Sequence, residues 1–481
     1  MDLFQTYWPH ILAALSLVMG SLAAIHATMN KREVRSAIGW VGVILLSPIL
    51  GALIYAVVGV NRIRRKSILS RRTKRGDAVW GDLSHFRVEQ ADYERQFGSR
   101  QGSLKRLSDK VTGHPLVSGN TIDMLSTGDE AYAALADAFD KAERSILLET
   151  YIFDRDHVGL KLADCLIAAR KRGVEVRVLI DAVGARYSVP SIVSYLQDGG
   201  VTVEVFNGQV IAGLRLPYAN LRTHRKIAVV DGALAFMGGM NIRAAFSGPD
   251  AARDTHFKIT GPIVADLFAV AADDWQFETG EDLSGDAWAL PRDHAHVGAP
   301  LFARAVVSGP DANIERNHKV MMGAFSVAEK SIRIMSPYFL PDSVLLAALS
   351  TAARRGVTVE IVVPGKNNLA IVARAMTAQF DVILKDGARI FKGAGVFDHS
   401  KLMVVDGRWS FVGSSNIDSR SLRLNFEVDL EVHDDEFGRR MDERIIRVRD
   451  GAEEVTLQGL RSRAFPMRLL DRILWLASPY I

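Results

Sequence analysis

HRKIAVVD at 224–231 and HSKLMVVD at 399–406 are two copies of one pattern, His-x-Lys-x-x-x-x-Asp, set 175 residues apart. In each, an apolar β-prone run separates the Lys from the Asp: Ile227-Ala228-Val229-Val230 in one, Leu402-Met403-Val404-Val405 in the other. Asp-Gly then closes the run, which is a turn signal. The pattern predicts a buried strand, on which alternation puts His and Lys on one face. The Asp, seven residues from its His, faces the other way and is read as a tether for the motif's own backbone. An Asn follows at the same offset in both copies, Asn241 after Gly238-Gly239 and Asn416 after Gly413-Ser414-Ser415.

Two histidines, two lysines and two asparagines suit a site that holds one phosphate diester and exchanges its alcohol. A neutral imidazole is a usable nucleophile near pH 7, and a second can protonate the leaving oxygen. Lysine ammonium groups offset phosphate charge. The six motif residues His224, Lys226, Asp231, His399, Lys401 and Asp406 form the expected catalytic set, with Asn241 and Asn416 on the substrate phosphate. Two lysines and two amides do the work of holding oxygens, so the set calls for no metal and no cofactor.

The flanks repeat as well. AERSILLETYIF (142–153) parallels AEKSIRIMSPYFL (328–340), and AARKRGVEVRVLID (168–181) parallels AARRGVTVEIVVPG (352–365). Each half reads as strand, amphipathic helix, basic-Gly turn, strand, variable segment, motif strand and a further strand. Alternating β and α at this spacing implies an α/β sandwich with a largely parallel sheet. The halves are expected at 111–285 and 300–481, joined by the Gly-, Pro- and Asp-rich stretch TGEDLSGDAWALPRDHAHVGAP. His294 and His296 fall in that stretch and read as loop residues rather than a metal site. Residues 67–110 are polar and charged and are expected to connect the first half to what precedes it.

The start of the chain has another character. Hydrophobic residues make up 48% of the 481, and much of the excess lies in two runs without Asp, Glu, Lys or Arg, Leu3–Asn30 and Ser36–Asn61. Each exceeds the roughly 20 residues needed to cross a hydrocarbon core. They predict a transmembrane hairpin over 1–66 with spans near 7–28 and 37–59. A cleaved signal peptide fits less well, because no basic region opens the chain. Three cations (Lys31, Arg32, Arg35) lie between the runs, and eight follow between Arg62 and Arg75 before the first acid, Asp77. The positive-inside rule then puts the catalytic part on the cytoplasmic side. The net charge of +4 owes much to this cluster, which suits anionic lipid headgroups. Cys165 is the only cysteine, so no disulfide within the chain and no cysteine-based metal site can form.

With its duplicated motif the chain resembles the phospholipase D superfamily. The segment GWVGVILLSPILGALIYAVVGVNRIRRK, the tracts GHPLVSGN (113–120) and RDTHFKITGP (253–262), and the ending SPY-Ile481 resemble the bacterial cardiolipin synthases of the two-histidine type. The resemblance implies two phospholipase D-like α/β halves related by a pseudo-two-fold axis, sharing one active site. It further implies that Glu427 orients His224 and Asp254 orients His399, that His224 is the nucleophile, and that His399 is the general acid and then base. The implied reaction transfers a phosphatidyl group from one phosphatidylglycerol to another and releases glycerol, in a multi-pass protein of the bacterial inner membrane. The motifs alone leave the acceptor open: water would make a phospholipase D, and ethanolamine another phosphatidyltransferase. A nuclease of the same superfamily is disfavoured because both motifs sit in one chain and no aromatic RNA-binding pattern is present, so nucleic acid is not expected as a partner. A non-catalytic scaffold is disfavoured because both motifs are intact. Two further stretches are candidates for lipid contact, QVIAGLRLPYANLR (209–222) and the terminal LRSRAFPMRLLDRILWLASPYI; the latter fits an interfacial amphipathic helix or a closing core helix equally.

Overall fold

The computed structural model describes residues 2–31, 34–59, 84–207, 221–291, 301–311 and 313–478. The basic cluster Arg62–Arg75, His294, His296 and most of 209–222 lie outside the described residues. The chain divides into two compact units, Met1–Arg64 and Arg65–Ile481.

In the first unit, α1 (Asp2–Asn30) is one continuous helix. Its 24-residue stretch Tyr7–Asn30 is long and apolar enough to cross a membrane, and only 11% of its most apolar window is buried. At about 1.5 Å per residue it exceeds the roughly 30 Å of a hydrocarbon core. The second expected span, 37–59, is not one crossing helix. α2 (Val34–Leu46) stops at Ser47, whose backbone leaves the helical region (φ −146°, ψ 80°), and α3 (Pro48–Ile54) starts afresh with proline in its first turn. A Cβ on Gly51 would lie 2.5 Å from the Val43 carbonyl oxygen, so α3 doubles back along α2. A single π-helical turn, Tyr55–Gly59, follows. The Lys31 ammonium donates to the Gly59 carbonyl at 2.6 Å, so the run ends beside the point from which it set out. Proline cannot continue the hydrogen bonding of α2, and glycine at 51 permits the close return.

The second unit is built on one sheet. The first half contributes β1 (Val117–Leu125), β2 (Ser145–Thr150), β3 (Glu175–Asp181), β4 (Thr202–Phe206), β5 (Arg222–Thr223), β6 (Ile227–Val230), β7 (Leu234–Gly238) and β8 (His256–Thr260). The second contributes β9 (Leu301–Ser308), β10 (Ser331–Met335), β11 (Thr358–Pro364), β12 (Arg389–Gly393), β13 (Leu402–Val405), β14 (Trp409–Gly413), β15 (Asn425–His433) and the short β16 (Glu453–Val455). The order is β16-β12-β11-β10-β13-β14-β15-β9-β1-β8-β7-β6-β2-β3-β4. Seven strands of one half therefore mirror seven of the other across the antiparallel β9–β1 junction.

Along the main strand order, β2-β3-β4 and β10-β11-β12 run parallel, while the motif strands β6 and β13 are antiparallel to their neighbours. The expected largely parallel sheet is thus a mixed one. The cause lies in the motif itself. Asp231-Gly232 and Asp406-Gly407 both take left-handed backbone (φ 52° and 66°, 56° and 68°). They fold β6 onto β7 and β13 onto β14 as hairpins. Each half has its own core between sheet and helices, one around Phe139, Leu166 and Phe236, the other around Phe325, Leu349 and Trp409. Residues 90–112, expected within a polar connector, form a helix that buries Tyr93, Phe97 and Leu104. A kink at Gly98 (φ 85°, ψ 163°) divides this helix: Tyr93 and Phe97 pack together before it with Val88 and Leu116, and Leu104 after it joins the second core.

Candidate active site

The motif histidines lie just ahead of β6 and β13, and each is held by the opposite half. β5 pairs in parallel with the start of β15, setting Phe426 opposite Thr223. The His224 N–H donates to the Phe426 carbonyl at 2.9 Å, and the His399 N–H donates to the Arg253 carbonyl at 2.7 Å. The next residue after each of these carbonyls is a carboxylate, Glu427 and Asp254. Glu427 Oε2 lies 3.1 Å from Nδ1 of His224, and Asp254 Oδ2 lies 2.7 Å from Nδ1 of His399. Each imidazole is therefore clamped through backbone and Nδ1 by one strand end of the other half. With Nδ1–H donating to the carboxylate, Nε2 is the nitrogen left with a lone pair for chemistry.

Lys226 Nζ donates to the His224 carbonyl at 2.5 Å, and Lys401 Nζ to the His399 carbonyl at 2.6 Å. Alternation along the strand puts each lysine on its histidine's face. Asn241 Oδ1 accepts from the Ile152 N–H at 3.1 Å; Asn416 Nδ2 donates to Ser421 Oγ at 3.4 Å, and its buried Oδ1 has no partner among the described residues. Both asparagines stand on the turns after β7 and β14. Eight predicted residues are thus brought together: the two histidines, two lysines, two asparagines, Asp254 and Glu427.

Asp231 and Asp406 are not brought there. Each sits at the far end of its motif strand, about 20 Å along an extended chain from its histidine. Asp231 accepts from the backbone N–H groups of Glu143, Arg144 and Ser145 at 3.0, 2.7 and 2.9 Å. Asp406 does the same for Glu329, Lys330 and Ser331 at 2.9, 2.7 and 2.9 Å. These two carboxylates pin the start of the adjacent strand, as their facing along the strand requires. They do not reach the histidines.

Burial dominates the electrostatics. It pushes His399 down to about 4, helped by the Lys401 charge, and holds His224 well below the usual histidine range, helped by Lys226 and Lys401. Burial likewise lowers Lys226 to about 7 and Lys401 to about 8. It raises Glu427 to about 7. Burial would raise Asp254 too, but Lys401 and His399 outweigh it and keep that carboxyl below its usual value. These surroundings favour neutral imidazoles, one of them on an ionised carboxylate. A phosphodiester anion between the lysines would restore their charge and make protonation of one imidazole easier.

Two tyrosines that sequence reasoning missed complete the walls. The Tyr151 ring lies 5.0 Å from that of His224, with Lys226 Nζ 5.3 Å above it. Tyr338 lies 5.9 Å from His399. They occupy matching places in the duplicated stretches LETYIF and MSPYFL, which was the signal available. The pseudo-symmetry breaks at Gly239 and Ser414. Ser414 Oγ donates to Glu427 at 2.6 Å, whereas a side chain at 239 would start 2.7 Å from an Asp254 oxygen.

Two crossed histidine–carboxylate pairs on a duplicated α/β sheet define a phospholipase D-like phosphodiester site. Residues 135–271 and 321–449 each match the family described as "Cardiolipin synthase, PLD-like domain", and 17–59 match "Phospholipase_D-nuclease N-terminal". The chain is 31% identical to a cardiolipin synthase of Alkalihalophilus pseudofirmus over 94% of its own length and 90% of that protein's. It is 30% identical to a cardiolipin synthase of Geobacillus over 100% of its length and 96% of the other's. The chain belongs to the phospholipase D-like cardiolipin synthase family. Its fold is similar to that of phosphatidylserine synthase from Haemophilus influenzae, with a TM-score of 0.60 at 16% identity, covering 79% of this chain and 100% of that one.

Proposed function

We propose that this chain joins two phosphatidylglycerol molecules into cardiolipin and releases glycerol. The observation that carries the chemistry is the crossed pairing of His224 with Glu427 and His399 with Asp254, each beside its own lysine. The family membership supplies the substrate class. Nε2 of His224 attacks phosphorus, and the phosphorus–oxygen bond to the glycerol headgroup breaks as His399 hands that oxygen a proton. The phosphatidyl group now sits on His224. His399 takes the proton from the terminal hydroxyl of a second phosphatidylglycerol, whose oxygen displaces His224. Lys226, Lys401, Asn241 and Asn416 hold the non-bridging oxygens through both steps.

Phosphatidyl-p-nitrophenol separates the two roles, because its leaving group needs no acid. The His399→Ala protein should release one nitrophenol per enzyme and carry the phosphatidyl group on residue 224; the His224→Ala protein should do neither. An adduct on His399 in the latter would reverse the assignment. With phosphatidylglycerol itself, cardiolipin and glycerol should appear in equal amounts, whereas phosphatidic acid and glycerol would overturn the synthase reading.

The N-terminal unit anchors the chain in the bacterial cell membrane, with the catalytic part on the cytoplasmic side. The two uncharged runs support two crossings, and the return of Gly59 to Lys31 supports one. In the second case the three cations between the runs and the eight after them emerge on one face, and the positive-inside count is no longer divided. A reporter fused ahead of Asp2 distinguishes them, external for one crossing and cytoplasmic for two.

A further inference from the structure

The helix Phe465–Leu476 is inside out. Its buried residue is Asp471, ion-paired with Arg374 at 3.2 Å and Arg463 at 2.6 Å. Trp475 packs partly against the second core, but most of the helix's other large apolar side chains face solvent: Phe465 is 71% exposed, Ile473 53% and Leu476 70%. Arg374 belongs to the helix Ala370–Thr377, which follows the loop leaving β11. That loop carries Leu369, and the helix's first turn carries Ile371, both about half exposed; Asn368 of the loop accepts a hydrogen bond from Tyr338, the ring beside His399. The apolar face therefore begins one hydrogen bond from a wall of the candidate site. In the first half the equivalent loop, leaving β3, exposes Tyr187 and Val189, the latter at 94%. The pseudo-symmetry thus repeats the apolar rim on the other side of the mouth.

Beside the helix lies a groove of about 380 Å³ lined by Lys385, Arg461, Arg463, Arg468 and Arg472. Its two acids are already engaged, Asp471 as above and Asp381 with Lys385 and Arg472, both at 3.2 Å. Five cations against two acids make a site for an anionic group, and they disfavour a second copy of the same cationic face. We propose that this face docks the catalytic unit onto an anionic bilayer. Phe465, Leu469, Ile473 and Leu476 enter the headgroup–acyl boundary, and the groove takes a lipid phosphodiester. The site then opens toward the leaflet that supplies its lipid, an extension that rests on the phosphatidyl-transfer reading above.

The test uses the full chain with Cys165→Ser and Ile473→Cys, the new thiol carrying an environment-sensitive fluorophore. In phosphatidylglycerol/phosphatidylcholine nanodiscs the label should shift to the blue and be quenched by shallow nitroxide lipids. A label that stays in water, equal insertion into pure phosphatidylcholine, or a shift that follows protein concentration in lipid-free detergent would each overturn the proposal. Phe465→Ser with Leu469→Ser should raise the apparent KM for bilayer phosphatidylglycerol roughly ten-fold. The kcat on monomeric short-chain phosphatidylglycerol should not change. Turnover of that soluble substrate also separates the two readings: its absence in the parent protein refutes phosphatidyl transfer, whereas its presence with an unshifted label refutes docking alone.

Discussion

Asp231→Ala should cost stability and leave chemistry intact, although Asp231 belongs to the motif that marks the site. Its carboxylate accepts three backbone N–H bonds, two on Oδ1 and one on Oδ2. A hydrogen bond to a charged acceptor is worth about 1.5–3 kcal/mol. These N–H groups lie near the surface and water replaces part of each bond, so roughly 1 kcal/mol apiece is the appropriate scale. The left-handed backbone at 231 adds about 1 kcal/mol against alanine. The sum is about 4 kcal/mol, or about 1 °C of melting temperature per kcal/mol in a unit of this size. Asp231→Asn keeps the Oδ1 bonds and tolerates the backbone, but turns a donor toward the Glu143 N–H. It should lose about 1–2 kcal/mol. Calorimetry of the full chain in detergent, with turnover per folded molecule, checks both. The Ala variant should melt about 4 °C lower with kcat within about two-fold of the parent, and Asp406→Ala should behave alike. An Asp231→Asn protein that melts normally but turns over a hundred-fold more slowly would refute this, and would put the carboxylate in the chemistry.

Gly239→Ala would set a methyl group 2.7 Å from an Asp254 oxygen. Pushed off Nδ1 of His399, that carboxylate can no longer orient the ring, and kcat should fall at least about ten-fold with little change in melting; unchanged kcat would mean that Asp254 moves freely. Arg225→Met should destabilise by about 3–5 kcal/mol, because Arg225 is 1% exposed and its loss would strip the buried Asp274 carboxylate of its ion-pair cation. Adding Asp274→Leu should recover much of the loss, and denaturant midpoints read both. His256 and His399 are each lowered by burial to about 4. The unfolded chain therefore binds more protons than the native one between about pH 6.5 and 4, and stability should fall as pH drops through that window, by up to roughly 3 kcal/mol per histidine. Glu427, raised by burial to about 7, acts with the opposite sign: its contribution is full below the unfolded value and is lost as pH rises through 7. The acid loss should therefore be steeper in Glu427→Gln, as measured by denaturant midpoints at pH 7 and 5.

Much of the catalytic unit was legible because it was written twice. The apolar β-prone run between Lys and Asp names a buried strand, Asp-Gly ends it, and the seven-residue offset turns Asp231 and Asp406 away from the histidines. The carboxylates at 254 and 427 were legible only through the family. No spacing rule links residue 224 to 427, because the link is a backbone bond between halves. The antiparallel setting of the motif strands could have been read from Asp-Gly itself, since a two-residue turn with left-handed backbone makes a hairpin.

The ends of the chain were harder to read, and for the same reason. An uncharged run such as 36–61 records the surroundings its side chains tolerate, not the path they take through them. Pro48 and Gly51 are compatible with a kinked crossing and with a return. What selects the return is tertiary: Gly51 fits against Val43, and Gly20 lies where Pro48 passes. The helix Phe465–Leu476 poses the converse case. Alternating arginines and apolar residues announce two faces without saying which one meets protein. Asp471, the only acid on that helix, decides it by pairing inward with Arg374 and Arg463. With its charge satisfied against the protein, the apolar face is left outward, where a bilayer rather than water gives it a favourable partner.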